Sequence, residues 1–239
     1  MISGKAFAEK CTWVHDPRYP SRREFYSQLA KDGDWVFLNG DYLATFLRKL
    51  PILHVKRFVI IVHNTDRSFG NEELRMLLPH AYRIYAVNAT VQHPLLVPIP
   101  LGFRDCTLEH LSTYIPESVP RTIEVYGNFK VCNNTPKRSA CREALRDDCR
   151  VVWRDEVDFP SYLHDLCQSR FVLCPDGAGL DTHRLYEALL CGATPVVLRN
   201  ALTPLYATLP VCIVDAWTDP FYVPTTPSPR FDVASFLST

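Results

Sequence analysis

The 239-residue chain has no apolar run near the roughly 18 residues needed to cross a bilayer. Its first residues, MISGKAFAEKCTW, lack the apolar core of a secretory signal. Net charge is absent as well: 26 Lys and Arg balance 26 Asp and Glu, so the basic excess of a broad nucleic-acid footprint is missing. No CxxC pair occurs among the nine cysteines, which argues against a zinc ribbon or a thioredoxin-like centre. No GxGxxG follows any strand-like run, which ranks an NAD-dependent sugar-nucleotide enzyme low. An odd number of scattered cysteines, several in apolar segments, reads as core residues in a reduced, cytosolic setting.

What is present is alternation. Val- and Ile-rich runs suited to strands covered on both faces lie at 35–38, 58–62, 84–87 and 95–99, then at 123–126, 151–153, 171–174, 194–198 and 211–214. Helical spacing falls between them, at about 21–30, 42–49, 137–146, 161–168, 182–191 and 202–208. This rhythm predicts an α/β fold of two Rossmann-like, doubly wound lobes with parallel sheets. Four strands precede a polar, proline-bearing stretch at 104–122 that reads as a loop, and five follow it. The expected lobes are therefore 1–105 and 106–239, with a proline-rich irregular stretch at 222–231.

The chemistry concentrates in FVLCPDGAGLDTHRLYEALLCGATPVV, residues 171–197. A buried strand ends in a loop bearing Gly177 and Gly179, which permit close backbone approach. The helix that follows offers unpaired N–H groups and its positive dipole end, a seat for phosphate at the carboxyl edge of the strands. Arg184 adds a charge-assisted phosphate bond, Glu187 suits the paired hydroxyls of a ribose, and His183 shares their turn. The plainer alternative is Asp181 as a helix cap with Arg184 and Glu187 as a surface ion pair.

That stretch, continued by PLYATLPVCIVDAW and preceded by YGNFKVCNNTPKR, resembles the exostosin-like family of glycosyltransferases over about residues 123–217. HNTDRSF, IYAVNAT and PIPLGF are similar, less closely, to the acceptor-side lobe of compact, virus-type relatives. The resemblance implies a GT-B fold with the donor in the cleft between lobes, a UDP-sugar donor (UDP-xylose first) and a glycan or glycoprotein acceptor. It also implies inverting transfer; if the helix start and Arg184 hold the donor diphosphate, leaving-group charge is stabilised without a metal, and no other cofactor is expected. Donor contacts would come from Asn128, Phe129, Arg138, Asp176, Gly177, Gly179, Leu180, Asp181, His183, Arg184 and Glu187, and acceptor contacts from Asn64 and Asn88.

Glycosyl transfer needs a base for the acceptor hydroxyl, and HNTDRS at the end of the 58–62 strand supplies Asp66 first and His63 second. Asn-Thr-Asp after a strand is also an ordinary turn. Asp32-Gly33-Asp34 spells the DxD that binds metal in another transferase fold, but between a helix and a strand it reads as a turn. His15, His54, His80, His93, His110 and His164 show no ligand spacing, and each tryptophan (13, 35, 153, 217) suits a core position better than a sugar platform. A non-catalytic glycan- or nucleotide-binding module derived from a transferase is the remaining rival.

Overall fold

The computed structural model describes residues 1–20, 22–50, 56–114, 116–226 and 231–237. His54, the first residue of the 21–30 helical span and the PSPR portion of the proline-rich stretch lie outside the described residues. Contacts divide the chain into two compact units, Met1–Cys106 with Phe231–Thr239, and Thr107–Arg230. The last residues are thus grouped with the first unit rather than the second.

The first unit runs α1 (Gly4–Ala8), β1 (Trp13–His15), β2 (Trp35–Asn39), α2 (Leu43–Lys49), β3 (Phe58–His63), α3 (Asn71–Leu77), β4 (Ala81–Ala86) and β5 (Leu96–Pro98). Its five strands pair in parallel and in sequential order, β1-β2-β3-β4-β5, without a reversal of winding. Val36, Leu38, Ile60, Val62, Ile84 and Ala86 supply the buried strand residues of one core, closed by Phe25, Phe46 and Phe58. These three rings pack at centroid distances of 4.9 and 5.6 Å, tilted and edge-on, the geometry that aromatic quadrupoles favour.

Two expectations are corrected here. The sheet has five strands, not four, because Trp13–His15 adds an edge, paired in register with Val36, Phe37 and Leu38. Within 22–30 the chain is not helical. Phe25 N–H donates to the Val14 carbonyl and Val14 N–H to the Arg23 carbonyl, so the segment bridges to β1 and keeps only a single turn, closed on the Tyr26 carbonyl by Leu29 and Ala30 N–H. Lys56 completes the override by donating to the carbonyls of Ser27 and Ala30.

The second unit runs α4 (Leu108–Thr113), β6 (Ile123–Gly127), α5 (Thr135–Ala144), β7 (Val151–Trp153), α6 (Phe159–Gln168), β8 (Ser169–Leu173), α7 (His183–Leu190), β9 (Thr194–Leu198), α8 (Thr203–Tyr206) and β10 (Cys212–Val214). The stretch read as a loop at 104–122 therefore contains a helix. All pairs are again parallel, but the order β10-β9-β8-β6-β7 reverses between β6 and β8. In open α/β sheets such a reversal opens a crevice at the carboxyl ends of the two diverging strands, here after Gly127 and Leu173. The final short helix, α9 (Ala234–Leu237), belongs to the first unit, where the Tyr85 hydroxyl donates to the Leu237 carbonyl at 2.9 Å.

All nine cysteines are free thiols, and five of them (141, 167, 174, 191, 212) are buried. No helix among the described residues is long and apolar enough to cross a membrane.

Candidate donor site and the loop after β3

At the reversal point of the second sheet, the loop after β6 and the loop after β8 are stitched together. Asn134, which caps α5 by accepting from Lys137 N–H, also donates from Nδ2 to the Gly177 carbonyl at 2.8 Å. Arg138, one turn into α5, donates from Nε to the Asp176 carbonyl at 3.0 Å and from Nη1 to the Lys130 carbonyl at 2.7 Å. Gly177 N–H donates to the Gly179 carbonyl at 2.9 Å, tightening the loop. A β-carbon on Gly177 would sit 3.0 Å from Arg138 Nη2, so the glycine lets this guanidinium lie under the loop.

Phe129 is the floor. Its ring carries three guanidiniums: Arg138 at 5.7 Å, Arg142 at 5.8 Å and Arg184 at 5.8 Å from the centroid. Arg142 is neutralised by Asp155. Arg138 and Arg184 meet no carboxylate within ion-pair distance among the described residues. Burial, and then the nearby charge of Arg184, push the Arg138 guanidinium down to about 10. The Arg184 Nε is buried without a hydrogen-bond partner. Two crowded cations and an orphaned donor form an arrangement that a multivalent anion would relieve.

Arg184 stands in the first turn of α7, whose cap residue Thr182 is extended and makes no side-chain cap bond. The helix start thus contributes the positive end of its dipole beside the two guanidiniums. His183 is the first helical residue and is half-buried. One turn on, Glu187 is almost fully buried and its Oε2 accepts from the Tyr162 hydroxyl at 2.9 Å. Burial and the Glu187 carboxylate hold Tyr162 well above its usual phenol range, so it remains a donor. The surface ion pair considered for Arg184 and Glu187 is not formed.

Other expected donor residues serve the frame. Asp181 is not the helix cap. Buried, it accepts from Thr182 N–H at 2.8 Å, from the Tyr186 hydroxyl at 2.5 Å and from the Tyr206 hydroxyl at 3.3 Å. The Leu180 carbonyl receives a second, longer contact from Tyr206. Asn128 donates to the Tyr126 hydroxyl at 3.2 Å, and that hydroxyl donates to Asp165. Sequence reasoning missed Arg142, Asn134, Asn200, Tyr162 and Tyr206, contributed from outside α7, and passed over Tyr186 within α7 itself.

Burial raises the Asp176 carboxyl above its ordinary value, against the weaker pull of Lys137 and a hydrogen bond from Asn200. A raised folded-state value means ionisation costs stability, with the cost absent below the unfolded value and complete above the folded one. Asp176→Asn is therefore expected to raise the melting temperature at about pH 7, with the gain shrinking toward about pH 4, as differential scanning fluorimetry across pH would record.

In the first unit, the loop after β3 separates framework from free chemistry. His63 is 1% exposed, with Nδ1 accepting from Asn64 N–H at 2.8 Å and Nε2 facing the Pro100 carbonyl at 3.3 Å. Asn64 adopts φ +60° and donates to Asp16 and to the Tyr19 hydroxyl, each at 2.8 Å. Asn88, at φ +52° and also 1% exposed, donates to the Thr65 carbonyl at 3.1 Å. Asn64 and Asn88 thus brace the loop. Asp66 alone of the four is exposed, and no partner fixes its carboxylate among the described residues.

The DGD carboxylates are both committed to their turn. Asp32 accepts from Arg57 N–H and the Tyr82 hydroxyl, and Asp34 accepts from Trp13 Nε1 and Lys31 N–H. Gly33, at φ +82°, is the left-handed corner between them. No group of three or more His, Cys, Asp or Glu suited to a metal occurs among the described residues.

A family model, the RXYLT1 C-terminal domain, matches residues 126–214, the stretch that contains both stitched loops and α7. The probable beta-1,4-xylosyltransferase IRX10L of Arabidopsis thaliana is 30% identical over 120 residues, covering 45% of this chain and 27% of the relative. The probable beta-1,4-xylosyltransferase IRX10 of the same plant is 30% identical over 106 residues, covering 39% and 25%. The chain thus spans about a quarter of the length of these curated relatives. These likenesses support an exostosin-like glycosyltransferase.

Proposed function

We propose that the chain is an exostosin-like glycosyltransferase that binds a UDP-sugar on its second unit and transfers the sugar to a glycan hydroxyl. The observation that carries the donor assignment is the pair of uncompensated guanidiniums, Arg138 and Arg184, over Phe129 beside the start of α7. A nucleoside diphosphate supplies the missing negative charge, and its ribose hydroxyls suit the carboxylate of Glu187. As the anomeric bond breaks, the same two cations stabilise the charge that accumulates on the leaving diphosphate. No step in this scheme calls for a divalent ion. Asp66 is the base for the acceptor hydroxyl, and direct displacement inverts the anomeric centre. The names of the Arabidopsis relatives favour xylose as the transferred sugar.

A thermal-shift and hydrolysis screen against nucleotide sugars, with and without EDTA, tests this scheme. UDP and UDP-xylose are expected to stabilise the protein whether or not EDTA is added. No stabilisation by any UDP species sinks the donor assignment, and loss of activity in EDTA sinks the metal-free scheme.

A further inference from the structure

The first unit carries a cavity of about 220 Å³ at the carboxyl ends of β2 and β3, between α2 and α3. Leu47, Val62 and Met76 form its apolar floor, and Asp41, Glu72 and Glu73 stand around it. Arg67 is the single cation in the lining. Two of the carboxylates are held in place: Asp41 accepts from the Thr65 hydroxyl at 2.6 Å, and Glu73 accepts from Gly70 N–H at 2.9 Å. Glu72 is exposed and free to turn toward a ligand. Asp66 falls in the chain between two lining residues, Thr65 and Arg67.

The lining selects its ligand. Three carboxylates against one guanidinium repel anions, which separates this cavity from the cationic donor site of the second unit. An apolar floor with fixed acceptors at the rim suits a ring that has one C–H face and hydroxyls on its edge. The space is adequate for such a ring, since an apolar cavity of about 150 Å³ already admits benzene.

We infer that this cavity is a subsite for a neutral sugar ring of the acceptor chain, and that its carboxylates discriminate against uronic acids. The choice of a saccharide rests on the glycosyltransferase proposal; the preference for a neutral one rests on the lining. An acidic sugar placed here brings its carboxylate beside those of Asp41, Glu72 and Glu73, where like charges in a partly desolvated site disfavour binding.

Met76 is one of only two methionines in the chain, the other being Met1, so a methyl-labelled sample reports on the cavity with one signal. Xylotriose and cellotriose serve as neutral probes and trigalacturonic acid as the anionic one. Either neutral probe is expected to shift the Met76 methyl resonance, with trigalacturonic acid binding about tenfold or more weakly. Ala44→Trp, on the exposed side of α2 in the lining, should fill the cavity and abolish the shift. Glu72→Gln should leave neutral binding in place and narrow the gap to the uronate. The inference is overturned if neither neutral probe moves Met76, if trigalacturonic acid binds equally well, or if Ala44→Trp leaves the shift intact. UDP protection of the second unit, measured on the same samples, reads the donor proposal separately, so either can fail without the other.

Discussion

Replacing Arg184 with alanine is expected to weaken UDP binding by about 30- to 1000-fold, the cost of removing one partner from a desolvated charge pair of roughly 2–4 kcal/mol. Turnover should fall at least as far, because the same guanidinium faces the charge developing on the leaving group. The unliganded protein should not lose stability. Arg184 makes no ion pair, its Nε is unsatisfied, and its charge crowds Arg138. Its removal should leave the melting temperature unchanged or raise it. Lysine at 184 should restore only part of the affinity, since a point charge cannot reproduce the planar fork over Phe129. Isothermal titration with UDP, paired with a melting curve, checks both halves. Equal UDP affinity in wild type and Arg184→Ala contradicts the diphosphate role.

The second large effect belongs to Asp66. Asp66→Asn keeps size and turn geometry but removes the base, so kcat is expected to fall by about 10²–10⁴ while UDP affinity stays within about twofold. The carboxylate is exposed and unpartnered among the described residues, so the fold has nothing to lose. His63 gives the opposite pattern. Buried against Phe7 and Phe37, with both ring nitrogens engaged, His63→Ala should unfold the loop before it reveals any catalytic defect. Single-turnover kinetics with a glycan acceptor and a melting curve distinguish the two. Unchanged turnover in Asp66→Asn would show that another group takes the acceptor proton, whereas no turnover in the wild type with UDP binding kept would favour a module that binds without catalysing.

Much of the architecture was legible because parallel strands covered on both faces read as continuous Val and Ile runs. All nine expected strands are present, several shifted by one to three residues. What failed was decided by tertiary contacts. SRREFYSQLA has helical spacing, yet Phe25 is drawn into an aromatic cluster and its backbone into pairing with Val14. Trp13–His15 is too short to announce itself, and only its partners in β2 make it a strand. NEELRML was passed over although Glu73 reaches back to Gly70 N–H, a helix-start signal visible three residues apart.

At the candidate donor site, residues within one local motif were readable and residues converging from elsewhere were not. Arg184 and Glu187 share a helix, so spacing alone relates them. Arg142, Asn134 and Tyr162 arrive from α5 and α6, and only the folded sheet brings them to Phe129, Gly177 and Glu187. Asn64 and Asn88 show the converse limit. A polar residue at the carboxyl end of a strand attracts a functional reading, but a left-handed asparagine with its amide turned inward is loop scaffolding.

The return of the chain at Phe231 has a practical side. The second unit occupies one uninterrupted stretch, Thr107–Arg230, whereas the first is assembled from both ends of the sequence. A stop codon after residue 230 would therefore leave the second unit whole and damage the other, stripping the edge-on contact of Phe231 with Phe103 and the Tyr85 bond to Leu237. For anyone dissecting the molecule, the portion to express alone is the continuous stretch Thr107–Arg230, with a tag at either end of it.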